Sequence, residues 1–378
     1  MSERMEWFQL DPVDAWFFRD GRPSNRGEDQ SDLESQFPPH AATVVGALRA
    51  ALARSQGWDG HRDWPAPVKQ VLGDGFEDLR NLSFTGPFLK RNGQLLFPLP
   101  RHVLGRAVEE EEDAKKRKRF HSLDWLIPSG KVLSDAGEIH LPIPARRSRN
   151  GESSHGKPPA AAEAFWVTAG GLESILSGEF PNPDETWHGS DLFCLEPRVG
   201  IERGSQTRTT GEGALYNPSY VRLAKGVALA VGVAGLPVGW QLPAVFPLGG
   251  ESRLARCQRV ETVSMPKSST SAGQLVLVLS TPARFSQGPW WGAGPGDTVS
   301  RLYGGLPGSV QTMATDRPLR IGGWNSLQGI PLPLASHVAA GAVWWLEAVS
   351  HLPESQPLKL GDRTAWGCGL AFLGTQPK

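Results

Sequence analysis

The sequence predicts an α+β fold made of two tandem modules. Segment order points that way, running strand, helix, hairpin, insertion, hairpin and then a fresh strand. Length agrees, because 378 residues exceed one ordinary domain. So does composition: 44 glycines and 32 prolines imply many turns between short elements, with 14 tryptophans to anchor them. The expected modules are 1–262, carrying a large insertion at about 120–192, and 263–378. Element order fits a ferredoxin-like unit in each, and no sequence repeat is evident.

"MEWFQLDPVDAWFF" (Met5 to Phe18) reads as a strand followed by a turn at Asp11-Pro12. After Pro39, Val44, Ala47, Leu48, Ala51 and Leu52 recur at helical spacing and form one apolar stripe. Arg49 falls on the opposite face, and Thr43 or a residue just before it caps the helix start. In "LSFTGPFLKRNGQLLFPLP" (Leu82 to Pro100) two apolar runs flank Arg91-Asn92-Gly93, and Asn-Gly is the strongest short hairpin signal.

"EEEEDAKKRKR" (Glu109 to Arg119) reads as a solvated helix face or a mobile loop, with an RNA-touching loop as the alternative. The stretch from about Ser129 to Asp191 is rich in Pro, Gly, Ser and charge. It reads as insertion rather than core, interrupted by a short helix at "TAGGLESILSG". Val199 to Gly235 then forms a second, wide hairpin. "QLVLVLSTPARF" (Gln274 to Phe285) is the clearest single strand and opens another module. "PLPLASHVAAGAVWWLEAV" and "WGCGLAFLG" supply later β segments.

Lys and Arg together number 39 and so do Asp and Glu, so no global field draws the chain to nucleic acid. Any RNA surface must be local or shared with a partner. Cys194, Cys257 and Cys368 stand apart without a CxxC pair, which fits a reducing cytoplasm and argues against a zinc site. The opening "MSERMEWFQLDP" lacks the profile of a signal peptide. The longest apolar run, Gly226 to Trp240, is too short and glycine-broken to span a bilayer, so no membrane partner is expected.

"PLGGESRLARCQR" joins Gly249, Gly250 and Ser252 to Arg253, Arg256 and Arg259. Paired glycines let backbone N–H groups converge on an anion, and guanidiniums grip phosphate in a bidentate way. The competing reading is a tight turn entering an arginine-flanked edge strand. "RPLRIGGWNSLQG" repeats the combination through Arg320, Gly322 and Gly323, although Trp324 reads more cheaply as a packed anchor than as a base-stacking platform. "RTAWGCGLAFLG" is a third glycine-rich loop, with Gly367 and Gly369. The signals for catalysis are poor. The histidines are scattered without HExxH or HxH spacing, and no G-x-S-x-G elbow or Walker loop occurs. Asp11, Asp14 and Asp20 are explained most simply by an N-terminal turn. His40 has either a general-base role or a surface or capping one. No catalytic residue, metal or cofactor is expected.

The ordered motifs "DPVDAWFFRDGRP", "FPPHAATVVGALR", "GPFLKRNGQLLFPLP", "VGIERGSQTRTTGEGALY", "GGESR", "RPLRIGGWN" and "GCGLAFLG" resemble one family. It is that of the third Cmr subunit of type III-B CRISPR effector complexes, a Cas5-like branch of the RAMP superfamily. The resemblance spans Leu10 to Gly374 and is least typical from about Ser129 to Asp191. It implies two ferredoxin-like (RRM-like, RAMP) modules and a noncatalytic role. The implied partners are the 5′ tag of the CRISPR RNA (crRNA), the large polymerase-like subunit, the backbone RAMP subunit and, indirectly, target RNA.

On that basis Arg19 and Arg22 reach phosphates or splayed bases, or else pair with Asp20, Glu28 or Asp29. Gly46 permits close helix approach, and Arg49 faces away from the core toward RNA. The loops at Gly249, Gly250, Ser252, Arg253 and Arg256, at Arg320, Gly322 and Gly323, and at Gly367 and Gly369 contact RNA. Close strand packing is the alternative for the last pair. Two other functions stay open: a RAMP endoribonuclease using His40 as base, and a structural adaptor whose arginines meet acidic protein surfaces.

Overall fold

The computed structural model describes residues 5–19, 35–61, 63–75, 77–112, 115–134, 137–146, 159–201, 215–261, 263–270, 274–325, 329–353 and 357–377. These residues are mostly β, with a few short helices, and the chain separates into two compact units. One comprises Met1–Asn92, Leu192–Thr262 and Arg320–Ala335. The other comprises Gly93–Asp191, Val263–Leu319 and Ser336–Lys378. Each unit is assembled from separated stretches, where the sequence suggested a single cut after residue 262.

In the first unit Glu6–Pro12 is the middle strand of an antiparallel array. The order is Val245–Pro247, Leu254–Val260, Glu6–Pro12, Val227–Ala234, Ser83–Arg91. Val227–Ala234 is buried along its whole length, which is why its sequence is continuously apolar rather than alternating. The Ala41–Ser55 helix packs on the strands Val245–Pro247 and Ser83–Arg91 through the predicted stripe, with Val44, Leu48, Ala51 and Leu52 buried. Its cap is His40, whose Nδ1 accepts a hydrogen bond from the Ala42 N–H at 3.2 Å. Gly46 corrects the sequence reading. It is exposed, and a Cβ there would meet nothing within 4 Å, so no close approach depends on it.

Asn92 (φ 47°) and Gly93 (φ 91°) make the expected turn after Ser83–Arg91, both in the left-handed region such a turn demands. The wide hairpin expected within Val199–Gly235 begins earlier: Phe193–Pro197 pairs with Ser219–Leu223 and Gly200–Ile201 with Leu215–Tyr216, while Val227–Ala234 belongs to the main sheet.

The second unit holds the antiparallel order Ser309–Ala314, Val343–Glu347, Leu275–Leu279, Leu370–Thr375, Leu358–Lys359. Its core gathers Leu277, Leu279, Val299, Leu346 and Trp344, whose indole Nε1 donates to the Ala293 carbonyl at 3.0 Å. The stretch expected to be an insertion contributes to this interior. Phe165–Thr168 is a fully buried strand between Gln94–Pro98 and Thr186–His188. The Ala169–Leu176 helix that follows buries Leu172, Ile175 and Leu176 and packs on Leu370–Thr375. Gly374 allows that contact, since a Cβ there would fall 2.7 Å from the Leu176 carbonyl oxygen. Three apolar residues and a two-turn helix suffice for a core role, however polar their flanks.

The acidic and basic runs form neither a helix nor a loop. Val103–Glu112 and Lys115–Ser134 are strands of one antiparallel ribbon, which sets Glu109 opposite Lys118, Glu110 opposite Arg117 and Glu111 opposite Lys116. Opposite charges facing across a ladder contribute about 0.2–1 kcal/mol per pair, whereas like charges there would repel. No helix among the described residues is long and apolar enough to cross a membrane.

Two glycine substitutions separate these packing statements. Gly46→Ala should stabilise the protein by about 0.5–1 kcal/mol, because alanine favours a helix interior and here meets no neighbour. Gly369→Ala should destabilise it by about 3 kcal/mol or more. That residue has φ +73° and would drive a Cβ to 1.9 Å from the Leu360 carbonyl oxygen. Denaturant midpoints of the two variants check both signs.

Candidate nucleic-acid interface

The Gly249–Gly250 turn sits against the backbone that follows the first strand. Gly249 has φ +85°, and a Cβ there would fall 2.5 Å from the Phe17 carbonyl oxygen. That same oxygen accepts the Gly250 N–H at 2.8 Å. Glu251 and Ser252 follow at φ 55° and 51°, after which Leu248 donates to the Arg253 carbonyl at 2.8 Å and closes the turn. The turn therefore places Arg253 beside residues 14–18.

A second link fixes the same segment from another direction. Trp16 and Val221 exchange backbone hydrogen bonds of 3.0 and 2.7 Å, tying the segment to the Ser219–Leu223 strand. Ala15, Phe17 and Tyr220 make a small buried cluster there.

Asp14 lies at the meeting point. Its Oδ2 accepts from Arg198 Nη2 at 3.0 Å and its Oδ1 from Arg222 Nη2 at 3.0 Å. The same two arginines turn their Nε groups to Glu196, at 2.8 Å from Arg198 and 2.5 Å from Arg222. Two guanidiniums thus bridge two carboxylates, each by a pair of hydrogen bonds. Arg253 completes the group, with Nη1 3.6 Å from Asp14 Oδ2. The Arg198 and Arg253 guanidinium carbons lie 4.9 and 4.2 Å from the Tyr220 ring centroid, within cation–π reach. The Nε of Arg253 is buried and meets no acceptor among the described residues.

The electrostatics follow from that geometry. Hydrogen bonds from Arg222 and then Arg198 hold both the Asp14 and Glu196 carboxyls below the ordinary range. Glu196 and then Asp14 raise both guanidiniums in return. Three arginines against two carboxylates leave one net positive charge. The arrangement offers an incoming anion oriented N–H groups on a surface that is neither fully buried nor fully exposed.

Of the residues read from the sequence, Gly249, Gly250, Ser252 and Arg253 fall at this site. Arg256 is exposed two residues into the adjoining Leu254–Val260 strand, in register with Asp11. Arg19 is exposed at the bridge to Ser35, one residue beyond Phe18. Arg22 lies outside the described residues. Arg320, Gly322 and Gly323 belong to a separate two-stranded ribbon, Leu319–Asn325 with Ile330–His337. The Trp324 side chain on that ribbon is 62% exposed, so it is not the packed anchor expected.

Gly367 and Gly369 lie buried in the second unit. The Gly369 carbonyl accepts from the Leu360 N–H at 2.7 Å, so close strand packing accounts for the glycine.

Arg49 is a correction. It is buried at 4% exposure rather than facing away from the core. Its Nε and Nη2 donate to the Leu72 carbonyl at 3.0 and 2.6 Å, and Nη2 also donates to the Asp78 carbonyl at 3.0 Å. The guanidinium stacks 4.8 Å from the Trp64 ring centroid. Burial lowers its pKa to about 10, which still leaves it charged at neutral pH. The Ala66–Leu72 helix covers the face that helical periodicity alone assigned to solvent. Asp14 was read as a turn residue, and Glu196, Arg198, Tyr220 and Arg222 were not singled out. Their one sequence signal is alternation: Glu196/Arg198 and Tyr220/Arg222 are i, i+2 pairs, Arg198 lying one residue past the end of its strand.

The motif order and the arginine site both invite comparison with known proteins. The model of the CRISPR-associated Cas_Cmr3 family matches residues 8–376. The chain belongs to this family. As a Cmr3-type protein it bears out the resemblance drawn from its motifs. A chain of the type III-B Cmr-beta complex, solved with cognate target RNA and AMPPNP, is similar at TM-score 0.47 and 15% identity, over 90% of this chain and 86% of that one. A chain of the Csm3–Csm4 subcomplex of a type III-A interference complex is similar at TM-score 0.40 and 11% identity, over 98% and 100%. No curated protein matches the sequence.

The buried arginine of this Cmr3-type chain has a measurable consequence. Arg49→Leu should cost about 2–4 kcal/mol, since it strands the buried Leu72 carbonyl and the partly buried Asp78 carbonyl and removes the link to the Ala66–Leu72 helix. Thermal unfolding should show a clear loss. An unchanged melting temperature would mean that the guanidinium is solvated.

Proposed function

We propose that this Cmr3-type chain is a noncatalytic RNA-binding subunit of a type III-B CRISPR effector, acting in the cytoplasm. It holds the repeat-derived 5′ tag of the crRNA and bridges the large polymerase-like subunit to the backbone filament. Family membership supports the setting. The antiparallel sheets of the two units, each with helices, support the tandem ferredoxin-like architecture that the resemblance implies.

One observation carries the RNA reading. Arg198, Arg222 and Arg253 converge beside a glycine turn whose backbone is pressed against residues 17–18. Arg256 and Arg19 extend the basic surface along the neighbouring strand and loop. Guanidiniums on a rigid backbone suit the phosphates of single-stranded RNA, and the exposed Trp324 with Arg320 offers a stacking surface on its own ribbon. His40 spends its Nδ1 on the helix cap, which disfavours a general-base role.

The test is equilibrium binding of tag-bearing RNA by the assembled complex across a salt series. Arg253→Ala should weaken binding about three- to tenfold and flatten the log–log salt slope by about 0.7. Incubation with repeat RNA should leave the RNA intact. Metal-independent cleavage abolished by His40→Ala would establish the nuclease instead. Salt-independent binding indifferent to Arg253→Ala would favour an adaptor whose arginines meet protein.

A further inference from the structure

Asp14 and Glu196 contact the same two arginines but hold them differently. Glu196 belongs to the Phe193–Pro197 strand and takes both Nε groups. Asp14 stands on the segment after the first strand, is the more exposed of the two at 47% against 34%, and accepts from both Nη2 groups, that of Arg222 at 3.0 Å and that of Arg198 shared with Glu196 Oε1 at 2.8 Å. The Nε bonds point back along the arginine stems and fix where each side chain lies. The Nη groups are the outward donors, which a phosphate would engage. Asp14 Oδ2 also lies 3.6 Å from the Nη1 of Arg253.

We infer that Asp14 is an internal stand-in for phosphate. Its carboxylate occupies the seat that a backbone phosphate of the bound RNA takes over, while Glu196 is the positioning residue that keeps Arg198 and Arg222 aimed at that seat. The inference rests on the RNA-binding reading and adds a regulation to the site. In the free chain the two carboxylates offset two of the three guanidinium charges in place, and an anion that displaces Asp14 inherits an array already formed. Two like charges cannot share the seat, so RNA entry moves Asp14 outward. The opposition to binding is electrostatic and short-ranged, and salt weakens it. A neutral side chain at position 14 leaves Glu196 holding both Nε groups, so the seat stays built while its resident loses the charge that opposes an entering anion.

The two carboxylates therefore predict opposite effects on binding. In the assembled complex, Asp14→Asn should bind tag-bearing single-stranded RNA about fivefold tighter at low salt. Its log–log salt slope should be steeper by about 0.7, the share of one added phosphate contact. Glu196→Gln should bind more weakly, and adding Arg253→Ala to Asp14→Asn should remove most of the gain. Melting temperatures of all variants report whether each has kept its fold, a readout on which both carboxylates should register a loss. If Asp14→Asn weakens binding as Glu196→Gln does, or leaves affinity and slope unchanged while Arg253→Ala is impaired, the stand-in role is wrong and the RNA site survives. If Arg253→Ala also changes nothing, the RNA reading of this site falls with it.

Discussion

The turn at Gly249–Gly250 approaches the backbone of Phe17 more closely than any side chain permits, and the proposed interface depends on that approach. A Cβ on Gly249 would sit 2.5 Å from the Phe17 carbonyl oxygen, and one on Gly250 would meet the Phe17 ring at 2.9 Å. The contact brings Arg253 to Asp14, and Asp14 in turn joins Arg198 and Arg222 across separations of 184 and 208 residues. Without the glycines the turn would have to lift, and the arginines would lose their common partner.

The network reconciles a neutral chain with the proposed phosphate-binding role. Its charge is local and mostly compensated: two carboxylates hold three guanidiniums on a half-exposed surface. Isolated ion pairs at such exposure contribute little stability, but a doubly bridged pair fixes geometry. Fixed geometry is what the proposed RNA binding would gain, because arginine rotamers are ordered before the ligand arrives. The ribbon of Glu109–Glu111 against Lys116–Lys118 uses the same chemistry to a different end. There each charge faces its opposite within the sheet register, which supports the ribbon itself.

Local signals could be read from the sequence and long-range pairings could not. Asn92-Gly93 announced its turn because only glycine and asparagine readily take positive φ, and Leu275–Leu279 announced its strand through an unbroken apolar run. Phe165–Thr168 was hidden by polar flanks, although Phe165, Trp166 and Val167 are apolar and buried, whereas the Ala169–Leu176 helix after it was legible. Arg49 was misplaced because periodicity describes one helix and says nothing of a second one covering its far side. The site showed in part. Glycine chemistry and arginine clustering exposed the turn at 249–253, whereas Asp14, Glu196, Arg198 and Arg222 meet only once the strands are paired.

The central claim, that the leading end of the guide RNA rests on the glycine turn and its arginines, is tested most directly by photo-crosslinking. A 4-thiouridine placed in the 5′ tag of the crRNA, within the assembled effector, should attach to peptides spanning residues 14–19 or 245–260 of this chain. Attachment confined to the Glu109–Lys118 ribbon or to other subunits would contradict the account.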